Sequence, residues 1–235
     1  MKIFIQFILF LNITLASWQS INSTSPASTN LSVLSSDVVS TTLDFSIDGF
    51  HLVPVETTQG EMFLAKLNDG ASLLEATAPD LQKFGRSIII PDQSQMHVNI
   101  ISSEYVEYDN ILIAPSKGNL NRLINPNDVP YEFGETYNND EFYPNQLVGL
   151  EDPYIIRDLR GQTVVFYPFS YNPVQQKLRV YTNITVEVYS HGTSNINIIE
   201  ERDQESRYPL EYVNIFENHF LNFNNDTRFD YLVDH

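Results

Sequence analysis

Short runs of alternating apolar and polar residues, each closed by a turn signal, fill most of this chain. Leu43, Phe45 and Ile47 alternate with polar neighbours up to Asp48 and Gly49. Phe50–Val55 and Met62–Leu67 follow, separated by Gln59 and Gly60. Arg86–Ile90 is a β-branched run stopped by Pro91, and Met96, Val98 and Ile100 alternate with His97 and Asn99. Tyr105–Tyr108, Ile111–Ile113, Tyr154–Leu159 and Gln162–Tyr167 add further short strands. The clearest period of two lies in Lys177–Tyr189. There Leu178, Val180, Thr182, Ile184, Val186 and Val188 share one face, and Arg179, Tyr181, Asn183, Thr185 and Glu187 share the other. A strand of that pattern has one wet face. Near the end Leu210, Val213, Phe216 and Phe220 fall close to helical spacing after Pro209, a residue suited to a first helical turn. The pattern predicts an all-β fold, an antiparallel, jelly-roll-like β-sandwich with a short C-terminal helix.

Three stretches depart from that rhythm. Residues 1–16 open on Lys2, run through the apolar Ile3–Ile13, and end with small residues before the Ala16–Ser17 bond. This is the form of a secretory signal peptide, too short for a spanning helix, which needs about 20 apolar residues. Residues 17–42, rich in Ser, Thr and Asn, are expected to be a flexible leader. Pro115–Asp152 holds four prolines, three glycines and many Asn and Asp residues. An irregular segment of that length inside a domain is uncommon and often functional. Its Tyr131, Phe133, Tyr137, Phe142 and Tyr143 argue for docking rather than disorder. The organisation expected is therefore a signal peptide (1–16), a leader (17–42), a β-sandwich domain (43–200) and a helical connector (201–235).

Composition narrows the chemistry. The 235 residues include no cysteine, which excludes disulfide staples, a thiol nucleophile and a thiolate metal site. Thirteen basic residues against 30 acidic ones give a net charge of −17, a surface that repels nucleic acid and anionic lipid. None of the five histidines forms a metal-ligand spacing, and the acidic pairs Asp140-Glu141 and Glu151-Asp152 define no cleft. No phosphate-binding loop, nucleophile elbow or dinucleotide fingerprint occurs. Beyond residues 1–16, four Asn-X-Ser/Thr strings, at Asn22, Asn30, Asn183 and Asn225, match a glycosylation acceptor, and Asn183 falls within a strand. No catalytic residue, metal site or cofactor is expected.

Several ordered motifs resemble one known family. They are Ala114–Arg122 (APSKGNLNR), Asn125-Pro126, Val129–Tyr131, Phe133–Glu135, Phe142–Pro144, Glu151–Asp158 (EDPYIIRD), Arg160–Val165 (RGQTVV), Tyr167–Phe169, Tyr171–Pro173 and Leu178–Tyr181. Arg86–Pro91 fits the same pattern, so the resemblance runs from about Leu43 onward. The family is the propeptide of gingipain-type (C25) cysteine peptidases. It implies a β-sandwich that assists folding of a caspase-like catalytic domain and covers its active-site cleft. In its arginine-specific members an arginine on a propeptide loop enters the primary specificity pocket. Arg122 is the nearest candidate here, with Lys117 and Asn119 beside it, and the alternative is an ordinary surface arginine. The resemblance further implies a processing junction near the C-terminus, for which Arg228 and Phe229 are the candidates. It carries over no peptidase activity, because the catalytic Cys and His would follow His235. The partner it implies is a cognate C25-type catalytic domain, for an exported chain that meets neither nucleic acid nor, after signal removal, membrane. Against it stand a free-standing secreted binding or adhesion module and a truncated fragment without function.

Overall fold

The computed structural model describes residues 16–200 and 210–223. It contains three antiparallel sheets. In one, β4 (Gly49–Thr57) lies between β1 (Ser17–Ser20) and β5 (Gly60–Lys66). A second runs β10 (Tyr154–Ile156), β11 (Leu159–Phe166), β7 (Gln82–Ile89), β6 (Ala71–Ser72), with β9 (Val148–Leu150) also on β11. A third runs β12 (Phe169–Asn172), β13 (Lys177–Thr193), β3 (Ser40–Ser46), β2 (Asn30–Ser36), with β8 (Ser94–Tyr108) also on β13. The antiparallel β-sandwich with a short helix is thus the observed fold.

The period of two in β13 decides which face is buried. Leu178, Val180, Ile184, Val186 and Val188 are all 0% exposed, whereas Arg179, Tyr181 and Glu187 between them are half-buried. Thr182 breaks the series, and it lies where the pairing of β13 with β8 shifts register between Tyr181 and Asn183. Each of those aliphatic side chains contributes about 1.5–3 kcal/mol of burial. Phe45 of β3 stacks on Phe166 of β11, ring centroids 4.8 Å apart, and packs at a tilt on Phe84 of β7. These rings close one sheet on the other, and the main core lies between them.

The flexible leader is corrected. Ser17–Ser20 pairs with β4, from Ser17 opposite Leu52 to Ser20 opposite Gly49, and Asn30–Ser36 pairs with β3. Trp18 donates from Nε1 to the Ser23 carbonyl at 2.9 Å and meets the His51 ring edge-on. Leu31 and Val33 pack on the core. Between the strands, Asp69 accepts from the Thr29 hydroxyl at 2.6 Å and Asn68 donates to the Ala27 carbonyl. Serine- and threonine-rich sequence is compatible with strands at a sheet edge, where one face meets water and the ladder does not depend on side-chain identity.

The C-terminal helix, α1 (Leu210–His219), is docked on the sandwich. Val213, Phe216, Phe220 and Phe223 form a second buried cluster with Ile89 and Leu159. The chain after α1 covers the open edge of β7: Leu221 N–H donates to Ser87 O at 2.9 Å. The Asn222 side chain then takes over the ladder, its Oδ1 accepting from Ile89 N–H at 2.7 Å and its Nδ2 donating to Ile89 O at 3.1 Å. A side-chain amide here stands in for a peptide group on an edge that would otherwise be unpaired. Nearby, Arg160 is 0% exposed and donates to the carbonyls of Pro91, Ser94, Ile196 and Asn197. It ties the β7–β8 turn to the stretch after β13.

Candidate functional site

The irregular segment is ordered at its base and open at its tip. Leu112–Ala114 lies along β5, with Phe63 N–H donating to Leu112 O at 2.7 Å and Ala114 N–H to Phe63 O at 2.9 Å. The chain then crosses residues 77–80. Ser116 N–H donates to Ala78 O at 2.7 Å, and Thr77 N–H donates to Ser116 O at 2.9 Å. Seventeen residues beyond Lys117 the segment returns to the same place, where Gly134 N–H donates to Thr77 O at 3.0 Å. One residue, through its own N–H and C=O, therefore holds both stems of the loop. Thr77 has a φ of 68°, a left-handed conformation that costs a β-branched residue energy and is kept by these flanking bonds. Gly134 is dictated by the close approach, since a Cβ there would lie 2.3 Å from Thr77 Oγ1.

The returning stem is also held by packing. Tyr131, Phe133 and Tyr137 cover a small cluster of Met62, Leu64 and Ala114, and the Tyr137 hydroxyl donates to Ile113 O at 2.8 Å. Burial pushes the Tyr137 and Tyr143 hydroxyls well above their ordinary range, so both stay neutral donors at working pH. Asp80, half-buried under the same stem, has its carboxyl raised by desolvation, an effect that Lys66 and Ser72 partly oppose.

Between the stems, residues 121–128 are all exposed. The tip is a β-turn: Ile124 N–H donates to Asn121 O at 2.9 Å, and the Asn121 side chain accepts from Leu123 N–H at 3.0 Å. Arg122 and Leu123 occupy its two central positions. Leu123 is 93% exposed and Ile124 45%, an apolar shoulder beside a cation. Asn125 caps the Pro126–Asp128 3-10 turn through its side chain, which accepts from Asn127 N–H at 3.1 Å. Such local Asx bonds shape a loop without a core beneath it.

The three residues that sequence grouped as contact candidates have different surroundings. Arg122 is exposed and makes no hydrogen bond or ion pair with the described residues. Asn119 is exposed just after Gly118, whose φ is 76°. Lys117 is half-buried at the loop's base; its ammonium donates to Pro126 O at 2.7 Å and lies 4.1 Å from the Tyr131 ring centroid. Ala16 is exposed and Ser17 opens β1, while Arg228 and Phe229 lie outside the described residues. Thr77 was not singled out by sequence, because a threonine carries no sign of a left-handed φ. The fold also brings His97 and His191 together, ring centroids 5.6 Å apart on β8 and β13. Among the described residues no group of three or more His, Asp or Glu side chains converges as a metal site would require. No helix among them is long and apolar enough to cross a membrane.

Comparison with known proteins agrees with this picture. The Propeptide_C25 family model matches residues 22–226, and so begins upstream of the Leu43 limit read from the motifs. Gingipain R1 of Porphyromonas gingivalis is 36% identical over 179 residues, 76% of this chain and 18% of that protein. Gingipain R2 of the same species is 36% identical over 167 residues, 71% of this chain and 23% of that protein. This chain thus spans less than a quarter of the length of these curated relatives. Among solved structures, a chain in the complex of P. gingivalis RgpB pro- and mature domains superposes with a TM-score of 0.76 at 33% identity, covering 83% of this chain and 97% of that one. A structure concerning the zymogenic latency of P. gingivalis gingipain K shares the fold, with a TM-score of 0.64 at 19% identity over 75% of this chain and 99% of that one. With a family model matched over residues 22–226 and the pro-domain fold shared over 83% of its length, this chain belongs to the propeptide family of C25 gingipain-type peptidases.

Proposed function

We propose that this propeptide restrains a gingipain-type C25 catalytic domain by laying its 117–133 loop in the active-site cleft, with Arg122 in the primary specificity pocket. The observation that carries the reading is the isolation of Arg122. It is the cation at the centre of an exposed turn, its guanidinium without a hydrogen-bond or ion-pair partner among the described residues, on a loop whose stems are both fixed to Thr77. A guanidinium pairs bidentately with a carboxylate at the floor of a pocket, and the pairing gains strength where water is excluded. Leu123 and Ile124 would bury apolar surface beside the pocket, as residues flanking a central anchor do at tight interfaces. The chain contributes binding and not chemistry, so the enzyme's own nucleophile is blocked rather than altered. A folding-assistant role follows from the same contact, since a rigid sandwich offers the catalytic domain a template surface.

Export by the N-terminal segment and processing near Arg228 complete the proposal. Removal of residues 1–16 would leave β1 whole, because Ser17 is its first residue. A cut after Arg228 would fall beyond the buried Phe223 and leave the α1 cluster in place.

The test is a titration of the purified chain into an arginine-specific gingipain-type peptidase, following hydrolysis of a small arginyl substrate. Inhibition that saturates at one chain per enzyme is the expected result. Full activity at a hundred-fold excess would reject the proposal.

A further inference from the structure

We propose that Lys117 is a positioning residue: it braces the loop across its base and holds Arg122 ready to bind, without itself entering the partner. This deepens the reading given above and rests on it. Its basis is a set of contacts that sequence gave no reason to expect. Lys117 precedes the exposed turn and Pro126 follows it, and the ammonium–carbonyl bond of 2.7 Å joins the two flanks. The same ammonium lies over the Tyr131 ring, 4.1 Å from its centroid, and Tyr131 belongs to the cluster that seats the returning stem. Lys117 thus couples three parts of the loop: the outgoing stem, the 3-10 turn and the returning stem.

Gly118, at a φ of 76°, turns the chain directly after the lysine, and its N–H donates to the Ser116 hydroxyl at 3.1 Å. The brace therefore starts from a fixed backbone. The Thr77 bonds fix where the loop begins and ends, and the Lys117 bond fixes the shape between. Among residues 119–128 the other bonds are local Asx and turn contacts, which water competes for. A loop held in its bound shape before encounter loses less conformational freedom on binding, and the saving appears as affinity. A cation committed to a carbonyl and a ring is also a poor competitor for a distant pocket. That leaves Arg122 as the loop's unengaged cation.

The experiment compares wild-type chain, Lys117→Met and Lys117→Arg as inhibitors, each also in an Arg122→Ala background, with thermal midpoints recorded for all. Methionine keeps the stem's packing and removes the charged donor; arginine retains a donor and a cation for the ring. The expected result is inhibition weakened about ten-fold by Lys117→Met, with the midpoint little changed. Lys117→Arg should stay within about three-fold of wild type. In the Arg122→Ala background the methionine substitution should have almost no further effect, since the positioned group is gone. Hydrogen exchange of the free protein gives a partner-independent measure. The amides of Leu123, Ile124 and Asn127 should exchange faster in Lys117→Met, while those of Phe63 and Ala114 stay protected. Equal inhibition by wild type and Lys117→Met would overturn the inference, as would unchanged loop exchange. An equal loss in the Arg122→Ala background would overturn it too, since Lys117 would then be touching the partner directly. Failure of the wild-type chain to inhibit at all would instead remove the reading on which the inference rests.

Discussion

Replacing Asn222 by alanine should unlatch the C-terminal segment from the sandwich. The side chain is 1% exposed and makes hydrogen bonds to both backbone groups of Ile89, at 2.7 and 3.1 Å. Its Nδ2 also lies 3.2 Å from Thr41 Oγ1 and 3.3 Å from Ser36 Oγ, so it links β7 to β2 and β3. The hydroxyls can turn to other partners or to water. The Ile89 N–H and C=O, on a buried residue at 2% exposure, cannot do so without opening the edge. Leaving a buried polar group unpaired costs about 1–3 kcal/mol, so the two together cost about 2–6 kcal/mol. For a domain of this size each kcal/mol lowers the midpoint by about 2–4 °C, which predicts a fall of about 4–24 °C. Calorimetry of wild type and variant at neutral pH measures it. Asn222→Asp keeps the acceptor for Ile89 N–H but buries a charge, so it should be the worse variant at pH 7 and recover as the pH falls. A midpoint within about 2 °C of wild type for Asn222→Ala would show that the amide bonds add nothing beyond the phenylalanine cluster.

Two further perturbations probe the frame. Arg160→Met should destabilise by at least about 3 kcal/mol in urea titrations, because four carbonyls lose their donor together; a loss under about 1 kcal/mol would mean that the β7–β8 turn re-forms its bonds without it. Asp80 tests the loop platform by pH. Its folded carboxyl takes up a proton more readily than its ordinary value of 3.8. The folded state therefore binds more protons than the unfolded one above that value, and stability falls as the pH rises through the window. Asp80→Asn should match wild type near pH 3 and be the more stable protein at pH 7. A difference independent of pH would contradict this.

The parts of the fold written in apolar periodicity were legible before the structure. β13 buries its alternate aliphatic residues, Thr182 apart, Val213 and Phe216 of α1 and Phe220 just after it are buried as helical spacing selects, and the turn at Asp48 and Gly49 joins β3 to β4. The strands β1 and β2 were not legible, because edge strands need few apolar residues and these show chiefly Trp18, Leu31 and Val33. The site divides in the same way. That the 115–152 segment is irregular yet docked could be read from its prolines, glycines and aromatics. The roles proposed for its two cations could not be told apart there, because Lys117 and Arg122 differ in sequence only in type. What separates them is the arrival of Pro126 and Tyr131 beside one, while the other has no hydrogen-bond or ion-pair partner among the described residues, a product of a turn that folds the loop back on itself. Thr77 and Asn222 were invisible for a related reason. One acts through its backbone and the other through a side chain used as backbone, and neither leaves a trace in hydrophobic pattern.

The central claim is that Arg122 occupies the partner's primary specificity pocket, and the inhibition constant of Arg122→Ala tests it most directly. Wild-type chain and variant are titrated against the same arginine-specific C25 peptidase at several substrate concentrations. Competitive inhibition by wild type is expected, weakened by about a hundred-fold or more in Arg122→Ala, the scale of losing an interface hot spot of about 3 kcal/mol. The variant should keep its thermal midpoint, since the guanidinium makes no hydrogen bond or ion pair with the described residues. An unchanged inhibition constant, or inhibition insensitive to substrate, would contradict it.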